Sequence, residues 1–256
     1  MLLRMRRPTK FYKYRSLDGS GAKYVEESVF QHKFFFDSPN NFNDPFDCLP
    51  RFSFEGTKLS RIEYLTQWFK HVERVSDKEA RLRALEMEIT GQKPDLDYLF
   101  DMYRAGPVTK LPMYCVSEVC DNILMWSHYA SNHTGVCLEF DGTCSVFKDA
   151  HQVSYEDERV LVDMGAPVDP IIVANSAVVK SRDWGYEKEW RVIETGKTAG
   201  IRDWPETALK AVILGDRITP ENRKRVQGWV RGRKPEIALR QATISRSTFK
   251  VDITDL

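Results

Sequence analysis

The sequence predicts an α+β fold, with one domain built on a small mixed or split β-sheet core and a helical insertion at about 59–103. Short alternating runs of aromatic and polar residues flank the insertion, and such runs are typical of half-buried strands. The insertion is charged and has helical periodicity. Its segment Asp77–Ile89 contains strong helix formers and neither Gly nor Pro. A helical insertion between strand-rich parts is most simply accommodated in one α+β domain.

The N-terminal part predicts a strand, a helix and a second strand. Phe11–Arg15 alternates and is aromatic, which indicates a short strand. After a Gly-rich loop, Ala22–Gln31 has apolar residues at helical spacing, and Lys33–Asp37 is the second strand. The turn-rich segment Asn43–Asp47 follows soon after that strand.

The remaining elements follow the insertion. Leu111–Val116 predicts a strand, and Asp121 or Asn122 can cap a helix over Ile123–Ala130. Further strands are predicted at 135–141, 153–155 and 190–194. A C-terminal β-α-β-β segment is predicted at 207–254. Its strands lie at 209–214, near 237–239 and at 249–253, and its helix ends at Arg231.

The overall charge and hydropathy limit the classes of partner. The formal net charge is +1, which gives no global attraction to nucleic acid or to acidic membranes, although a local basic patch stays compatible with it. No apolar run approaches the roughly 18 residues needed to span a bilayer. The basic N-terminus lacks the apolar segment of a secretory signal. We therefore expect a cytoplasmic protein with no membrane contact.

The five cysteines indicate reduced thiols rather than a disulfide framework, because their number is odd and the chain is large. A zinc site could draw four ligands from one group of thiols and imidazoles, but the spacing matches no common zinc pattern. Buried core cysteine is the favoured interpretation, and we predict no metal site. The group comprises Cys115, Cys120, His128, His133 and Cys137.

The most informative segment is Asp183–Arg191, in which two carboxylates lie among three aromatic rings. Residues two apart in a strand share a face, so Glu187 and Glu189 are expected on one side of a strand. Such a pair can stabilise a developing positive charge or bind a ribose hydroxyl. Alternatively, both are solvated charges that pair with neighbouring basic residues, and surface pairs of that kind contribute little.

Two further segments carry candidate chemistry. Ser127 and His128 are adjacent in a predicted helix and do not face one another, so a nucleophile–base pair is not favoured. His128 can still reach a pocket and act as an acid or base. Asp44 and Asp47 could bind a metal, but Asx residues before Pro more often cap backbone amides in a turn.

A basic run in the last predicted helix and just beyond it is the best indication of a nucleic-acid or protein contact surface. A run of this kind is more often one solvated helix face, and few aromatic residues interleave it. The run comprises Arg223, Lys224, Arg225, Arg231 and Arg233.

Five motifs in one order resemble a bacterial family known only as domain-of-unknown-function family 2971. The resemblance extends from about Tyr12 to beyond Gly215 and implies no reaction. The motifs are Tyr12–Leu17, Phe42–Asp47, Met125–Ala130, Gly135–Phe140 and Trp184–Arg191.

A second set of signatures resembles the ADP-ribosyltransferase superfamily. Its members share a small split sheet, an aromatic strand bearing Arg or His, a strand ending in a hydroxyl residue, and a late strand with Glu, often as Glu-x-Glu. Here Tyr14-Arg15, Phe36-Asp37-Ser38 and Glu187-Lys188-Glu189 follow that order. The large insertion and the Pro after Ser38 depart from the pattern.

This resemblance implies a set of roles. Glu189 would be the catalytic carboxylate and Glu187 would orient the acceptor. Arg15 would anchor a phosphate or ribose of NAD, because guanidinium forms paired bonds to such groups, and Ser38 would be a positioning hydroxyl. Aromatic rings could stack on nicotinamide; the candidates are Tyr12, Tyr14, Phe35 and Trp184.

The function that follows is an NAD-dependent ADP-ribosyltransferase-like enzyme, or an NAD glycohydrolase, acting on a protein or nucleic-acid acceptor. A toxin or phage-defence role is an expectation from the resemblance. Two alternatives stay open. One is a non-enzymatic sensor module that binds a ligand or partner. The other is a metal-dependent nuclease that uses Asp44, Asp47 and a distant Glu.

Overall fold

The structure is a computed structural model that describes residues 7–106, 110–166 and 170–256. The chain divides into two compact units. Unit 1 comprises Met1–Ser38, Leu111–Val153 and Asp183–Leu256, and unit 2 comprises Pro39–Lys110 and Ser154–Arg182. Both units combine helices with strands, which confirms the predicted α+β class. That the whole chain forms one domain stays a prediction.

The helices and strands, in chain order, are β1 (Lys10–Arg15), α1 (Ser20–Phe30), β2 (Lys33–Phe36), β3 (Arg51–Ser53), α2 (Lys58–His71), α3 (Asp77–Thr90), α4 (Leu96–Arg104), β4 (Met113–Ser117), α5 (Ile123–Tyr129), β5 (Val136–Asp141), β6 (His151–Gln152), β7 (Ser154–Glu156), β8 (Leu161–Asp163), α6 (Pro170–Asn175), β9 (Val179–Ser181), β10 (Glu189–Ile193), β11 (Gly200–Asp203), β12 (Leu209–Leu214), α7 (Pro220–Gly232), β13 (Ala238–Ile244) and β14 (Val251–Asp255). Among the described residues, no helix has both the length and the apolar character needed to cross a bilayer.

Unit 1 is built on an eight-stranded sheet with the order β14-β13-β12-β5-β1-β4-β10-β6. Strands β12 and β13 are parallel and are joined by α7, while the other ladders are antiparallel. A separate two-stranded ladder joins β2 and β11. Polar caps fix the helix starts: the Asn122 side chain accepts hydrogen bonds from two amides at the start of α5, and Thr219 caps α7 ahead of Pro220.

The two faces of this sheet carry different apolar clusters, because successive residues of a strand point to opposite sides. One face holds the larger cluster, in which Phe11, Leu138 and Trp190 are buried with residues of α1 and α7. The other face holds a smaller cluster, in which Tyr12 and Tyr14 pack with residues of α5. The candidate carboxylates lie on the side of the smaller cluster.

Unit 2 contains the predicted helical insertion as α2, α3 and α4, together with two short parallel ladders, β3–β8 and β7–β9. Its apolar cluster forms where α2 meets α3, with Leu65, Phe69 and Ala80 buried. The ladders β3–β8 and β7–β9 were not predicted as strands, except that 153–155 overlaps β7. Strands of three residues give too few alternations for a clear pattern.

Candidate functional site

Three neighbouring strands of unit 1 carry the residues of interest. In the order β1-β4-β10, Tyr12 lies opposite Ser117, and Ser117 lies opposite Glu189. Paired residues of antiparallel strands project on the same face, so these three side chains form one row across the sheet. A strand that bears Arg15, a strand that ends in a serine and a strand that starts with a glutamate are therefore adjacent.

The sheet is split within this row. Strand β1 pairs with β5 along Lys10–Arg15, and β10 pairs with β4 along Glu189–Ile193. Between β1 and β4, in contrast, the ladder among the described residues is limited to the pair Tyr12 and Ser117. The two halves of the sheet therefore diverge beyond Tyr12, which agrees with the predicted split sheet.

Two cations lie along the split. Lys13 and Arg15 project from the same face of β1, opposite to the face of Tyr12. The Lys13 Nζ atom lies 5.2 Å from the centroid of the Tyr114 ring, and Arg15 lies close enough to Tyr114 to oppose the rise in the Tyr114 pKa that burial causes. Within the described part of the chain, neither cation forms a salt bridge. Burial and the nearby charge of Arg15 lower the pKa of Lys13 to about 8.

Arg15 and Glu189 consequently leave the sheet on opposite faces. Arg15 is a neighbour of Tyr114, whereas Glu189 pairs with Ser117. Tyr114 and Ser117 are three positions apart on β4, which corresponds to about 10 Å along the strand. A ligand that contacts both residues would have to pass through the split.

Glu189 is held in a buried ion pair on its own strand. Its two carboxylate oxygens accept hydrogen bonds from Nε and a terminal nitrogen of Arg191, each at 2.9 Å. The Arg191 side chain is fully buried, and 7% of the Glu189 side chain is exposed. A bidentate pair with this burial fixes both side chains.

Glu187 does not lie on the strand, so the prediction that it shares a strand face with Glu189 was wrong. It ends a 3-10 segment, Arg182–Glu187, and Lys188 has a φ of 45° before β10 begins. This left-handed residue breaks the alternation on which the prediction depended. The Ser117 hydroxyl donates to the Glu187 carbonyl at 2.6 Å and so joins the turn to β4.

The Glu187 carboxylate lies in a cluster of aromatic residues from α5 and the 3-10 segment. Tyr129 donates a hydrogen bond to its Oε1 atom at 2.5 Å, and the residue is 3% exposed. His128 Nδ1 is 2.8 Å from the Tyr186 hydroxyl, and the Trp184 ring is 6.0 Å from that of Tyr186. We call these residues, Glu187, His128, Tyr129, Trp184 and Tyr186, the Glu187 cluster. A buried anion among aromatic faces suits a cationic ring or a developing positive charge.

Tyr12 and Tyr14 have packing roles. Both rings are buried in the smaller apolar cluster of unit 1, and Tyr14 packs edge-on against Trp126 at 5.2 Å. The Tyr14 hydroxyl donates to the Val119 carbonyl, and Cys120 lies close enough to Tyr12 to add to the rise in the Tyr12 pKa. Burial raises the pKa of both phenols. Their contact with a cofactor stays a prediction.

Ser117, rather than Ser38, is the hydroxyl residue in the row, and it was missed from the sequence. Ser38 follows the bridge between Asp37 and Met113, at the other end of β4. The predicted strand Leu111–Val116 is followed directly by Ser117, so a similar signature was present there. The sequence could not show which serine lies between β1 and β10, because that depends on strand order.

The basic run of α7 is only partly exposed. Lys224, Arg225 and Arg231 are exposed, whereas Arg223 is half-buried and donates to Gln241. Arg233 is 2% exposed and donates to the carbonyls of Val29 and Glu206. The prediction that Arg233 belongs to an exposed contact surface was therefore wrong, because its guanidinium is buried and donates to backbone carbonyls instead.

The alternative metal-dependent site involves Asp44 and Asp47 of unit 2. Asp44 Oδ1 accepts from the Phe46 amide at 2.9 Å, and Asp47 forms a buried ion pair with Lys180 at 3.6 Å. Across residues 7–106, 110–166 and 170–256, no group of three or more His, Cys, Asp or Glu residues could hold a metal ion, and no disulfide is formed.

One family matches part of this chain. Residues 125–192, about a quarter of the sequence, are similar to a family described as "Protein of unknown function (DUF2971)". The matched segment starts in α5 and ends in β10, so it contains every residue of the Glu187 cluster together with Glu189 and Arg191. No curated protein and no solved structure showed significant similarity to the chain.

Proposed function

We propose that this chain is an NAD-dependent enzyme of ADP-ribosyltransferase type that modifies a macromolecule, with a toxin or phage-defence role. The observation that carries the proposal is the split between β1 and β4. The split is flanked by the cationic strand β1, by Ser117, and by the two carboxylates Glu187 and Glu189. These are the parts that the sequence resemblance requires, and they come from three distant segments of the chain.

The nicotinamide ribose would bind at the Glu187 cluster. Oxidised nicotinamide is a cationic aromatic ring, and aromatic faces beside a buried carboxylate attract such a ring. Trp184 and Tyr186 supply the aromatic faces, and Glu187 supplies the charge, held in place by Tyr129.

The diphosphate would bind at Lys13 and Arg15. The two cations are neighbours and form no salt bridge in the described chain, although Glu189 and Asp37 lie near enough to act against the lowering of the Lys13 pKa. A bound diphosphate would add the paired, charge-assisted contacts that the Arg15 guanidinium favours. The distance of about 10 Å along β4 between the neighbours of Arg15 and Glu189 is within the length of a dinucleotide.

The reaction would break the bond between C1′ of the ribose and the nicotinamide nitrogen. The bonding electrons leave with neutral nicotinamide, and positive charge develops at C1′. The Glu187 carboxylate stabilises that charge. A nucleophile of the acceptor, or water, then forms the new bond at C1′, and its proton passes to Glu187 or to His128.

The two carboxylates differ as candidates for the catalytic group. Both oxygens of Glu189 already accept from Arg191, which compensates its charge. Glu187 meets the aromatic cluster and is our first candidate for the chemistry, with Glu189 as the second.

The test is nicotinamide release and label transfer from NAD to a cell lysate. We expect the wild-type protein to bind NAD and release nicotinamide. Glu187→Gln should lower the rate by about 100-fold or more, as for other groups that stabilise a transition-state charge. Its amide oxygen still accepts from Tyr129, so the fold is retained.

The matched control is Glu194→Gln, just beyond β10. Glu194 pairs with Lys197 and Arg202, and the same chemical change there should leave the rate unaltered. The proposal fails if the folded wild-type protein neither binds NAD nor releases nicotinamide. Expression in bacteria gives a second readout, because toxicity should be lost with Glu187→Gln and retained with Glu194→Gln.

A ligand-binding module without catalysis is the second candidate, and the internal bonding of the Glu187 cluster favours it. His128 with Tyr186 and Tyr129 with Glu187 are already hydrogen-bonded, as in a preformed recognition site for a cation. Binding of NAD without turnover, equally lost in Glu187→Gln, would select this candidate. Cleavage of nucleic acid that requires a divalent metal would instead favour a nuclease.

A further inference from the structure

A cleft in unit 1 is lined by residues that belong neither to the Glu187 cluster nor to the split. Its volume is about 460 Å³, within the range of small-molecule sites. One wall is the turn between β13 and β14 with the end of β13, and the other includes Ile123 and His133. Phe249 in that turn is 99% exposed, so its ring face is open to a ligand.

His133 is held rigidly at this cleft. Its ring is 6% exposed and stacks on Trp126, with 16° between the planes. Ser131, Asn132 and His133 all have positive φ, at 48°, 53° and 71°, which is uncommon for three successive residues other than glycine. Backbone bonds from His133 to Trp126 and from Arg217 to His133 fix the segment.

The tautomer of His133 follows from its neighbours. The Ser127 hydroxyl donates to the Ile123 carbonyl at 2.9 Å, and while it does so its oxygen is an acceptor for His133 Nε2, 3.4 Å away. In this arrangement Nε2 carries the proton and Nδ1 is an acceptor. This buried Nδ1 atom has no hydrogen-bond partner in the described chain. Burial and, to a smaller extent, Arg217 lower the pKa of His133, against the opposing effect of Asp216, so the ring is neutral at pH 7.

A buried acceptor without a partner is unfavourable, and a ligand that donates a hydrogen bond would satisfy it. Because Nδ1 itself has almost no exposed surface, the cleft wall beside His133 has to move aside for a ligand to reach it. The cleft walls are apolar at Ile123, Ile244 and Phe249, which suits a flat ring.

The charges at the rim indicate an anionic end to the ligand. Arg246 and Lys250 are exposed beside Phe249 and form no salt bridge within the described residues. The nearby carboxylate of Asp216 already accepts from the Ile244 amide at 3.0 Å. The Ser245 hydroxyl accepts from the amides of Ser247 and Thr248, so the turn is closed by its own bonds.

We propose that this cleft binds a nucleotide, with the base between Phe249 and His133 Nδ1 and the phosphate on Arg246 and Lys250. A base presents N–H donors, a flat ring and an adjoining phosphate, which match the three features of the cleft. The nucleotide is free or is part of a single-stranded nucleic acid, and these two sources share the same chemistry.

The experiment measures binding of 5′-mononucleotides, of the matching nucleosides, of inorganic phosphate and of a four-nucleotide single strand by titration calorimetry. Phe249→Ala should weaken nucleotide binding about 5- to 150-fold, as expected for loss of base stacking. Arg246→Glu with Lys250→Glu should weaken it further at low salt. The His133 side-chain ¹⁵N signal of Nδ1 should shift on titration.

The controls are exposed residues of α3 in unit 2. Leu82→Ala matches Phe249→Ala, and Lys78→Glu with Arg81→Glu matches the charge change; neither should alter the affinity. The cleft variants should retain nicotinamide release, whereas Glu187→Gln should retain nucleotide binding to the cleft, so the two proposals fail separately.

Binding of mononucleotides assigns the free ligand, and binding of the oligonucleotide alone assigns a nucleic acid; both support the proposal. It is overturned by no binding of either up to about 1 mM, or by binding that Phe249→Ala and the charge variant leave unchanged. Phosphate binding as tight as nucleotide binding, or binding only to anionic lipid vesicles, also overturns it.

Discussion

The ion pair between Glu189 and Arg191 gives the sharpest stability prediction. Glu189→Gln keeps the size and an acceptor oxygen but removes the negative charge that pairs with the fully buried Arg191 guanidinium. The single change therefore tests whether this carboxylate is needed for the fold, independently of any catalytic role.

The magnitude follows from burial and distance. Two unit charges about 4 Å apart interact by about 4 kcal/mol at the effective dielectric constant of partly buried sites. Removing one partner of a buried pair typically costs about 3–5 kcal/mol, because the other charge stays desolvated. For a chain of this size that loss corresponds to a fall in Tm of about 6–20 °C.

The assay is urea and thermal unfolding of three variants beside the wild type. Glu189→Gln should show the full loss. The double variant Glu189→Leu with Arg191→Met replaces the pair by apolar groups and should recover most of it. Glu194→Gln is the control, because the Glu194 side chain is 23% exposed and its partners Lys197 and Arg202 are 55% and 20% exposed. Water can therefore solvate the charges that remain, and the loss should be smaller than for Glu189→Gln.

A loss for Glu189→Gln no larger than that for Glu194→Gln would refute the reasoning, since it would mean that the pair is solvated. A double variant less stable than Glu189→Gln would refute it in another way. It would show that the pair supplies hydrogen bonds which apolar packing cannot replace.

Three further predictions concern unit 1. The amine of Lys13 has a pKa of about 8 in the folded protein, whereas a lysine in the unfolded chain stays protonated to higher pH, so the unfolded state binds more protons above pH 8. The stability of the wild type relative to Lys13→Met should therefore rise with pH from about 8. A stability difference that does not change with pH in urea titrations would contradict this. Asn122→Ala removes the cap of α5 and should cost about 1 kcal/mol in the same assay, whereas an unchanged midpoint would show that tertiary packing alone fixes the helix start. Gly215→Ala would bring a Cβ to 2.2 Å from the His133 carbonyl oxygen and should lower the free energy of unfolding by about 1–3 kcal/mol. Gly228→Ala, with open space around it in α7, should raise it by about 0.5–1 kcal/mol. Equal effects of the two variants would contradict the close packing at Gly215.

The helices and longer strands were predictable because their patterns are local. Helix α5 has a cap at Asn122 and apolar residues at helical spacing, and β12 is a run of apolar residues that ends at Gly215. The short strands β3, β8 and β9 were not predictable, because each exists through pairing with a distant segment rather than through its own pattern.

The candidate site was predictable in part. The segment Asp183–Arg191 was recognised, but the positive φ of Lys188 removed Glu187 from the strand. A lysine carries no sequence signal for the left-handed conformation, which belongs mostly to Gly, Asn and Asp. Arg233 was read as a surface charge, although the carbonyls that it satisfies come from segments far away in sequence.

The sequence by itself determined the α+β class and which residues carry charge, aromatic rings and hydroxyls. Only the tertiary structure decided which of them meet. The order β1-β4-β10 selected Ser117 over Ser38 and set Arg15 and Glu189 on opposite faces of a split sheet. Local patterns record the period of a strand but not the identity of its neighbours. Strand order and register are set by long-range pairing and burial, and these are properties of the whole chain.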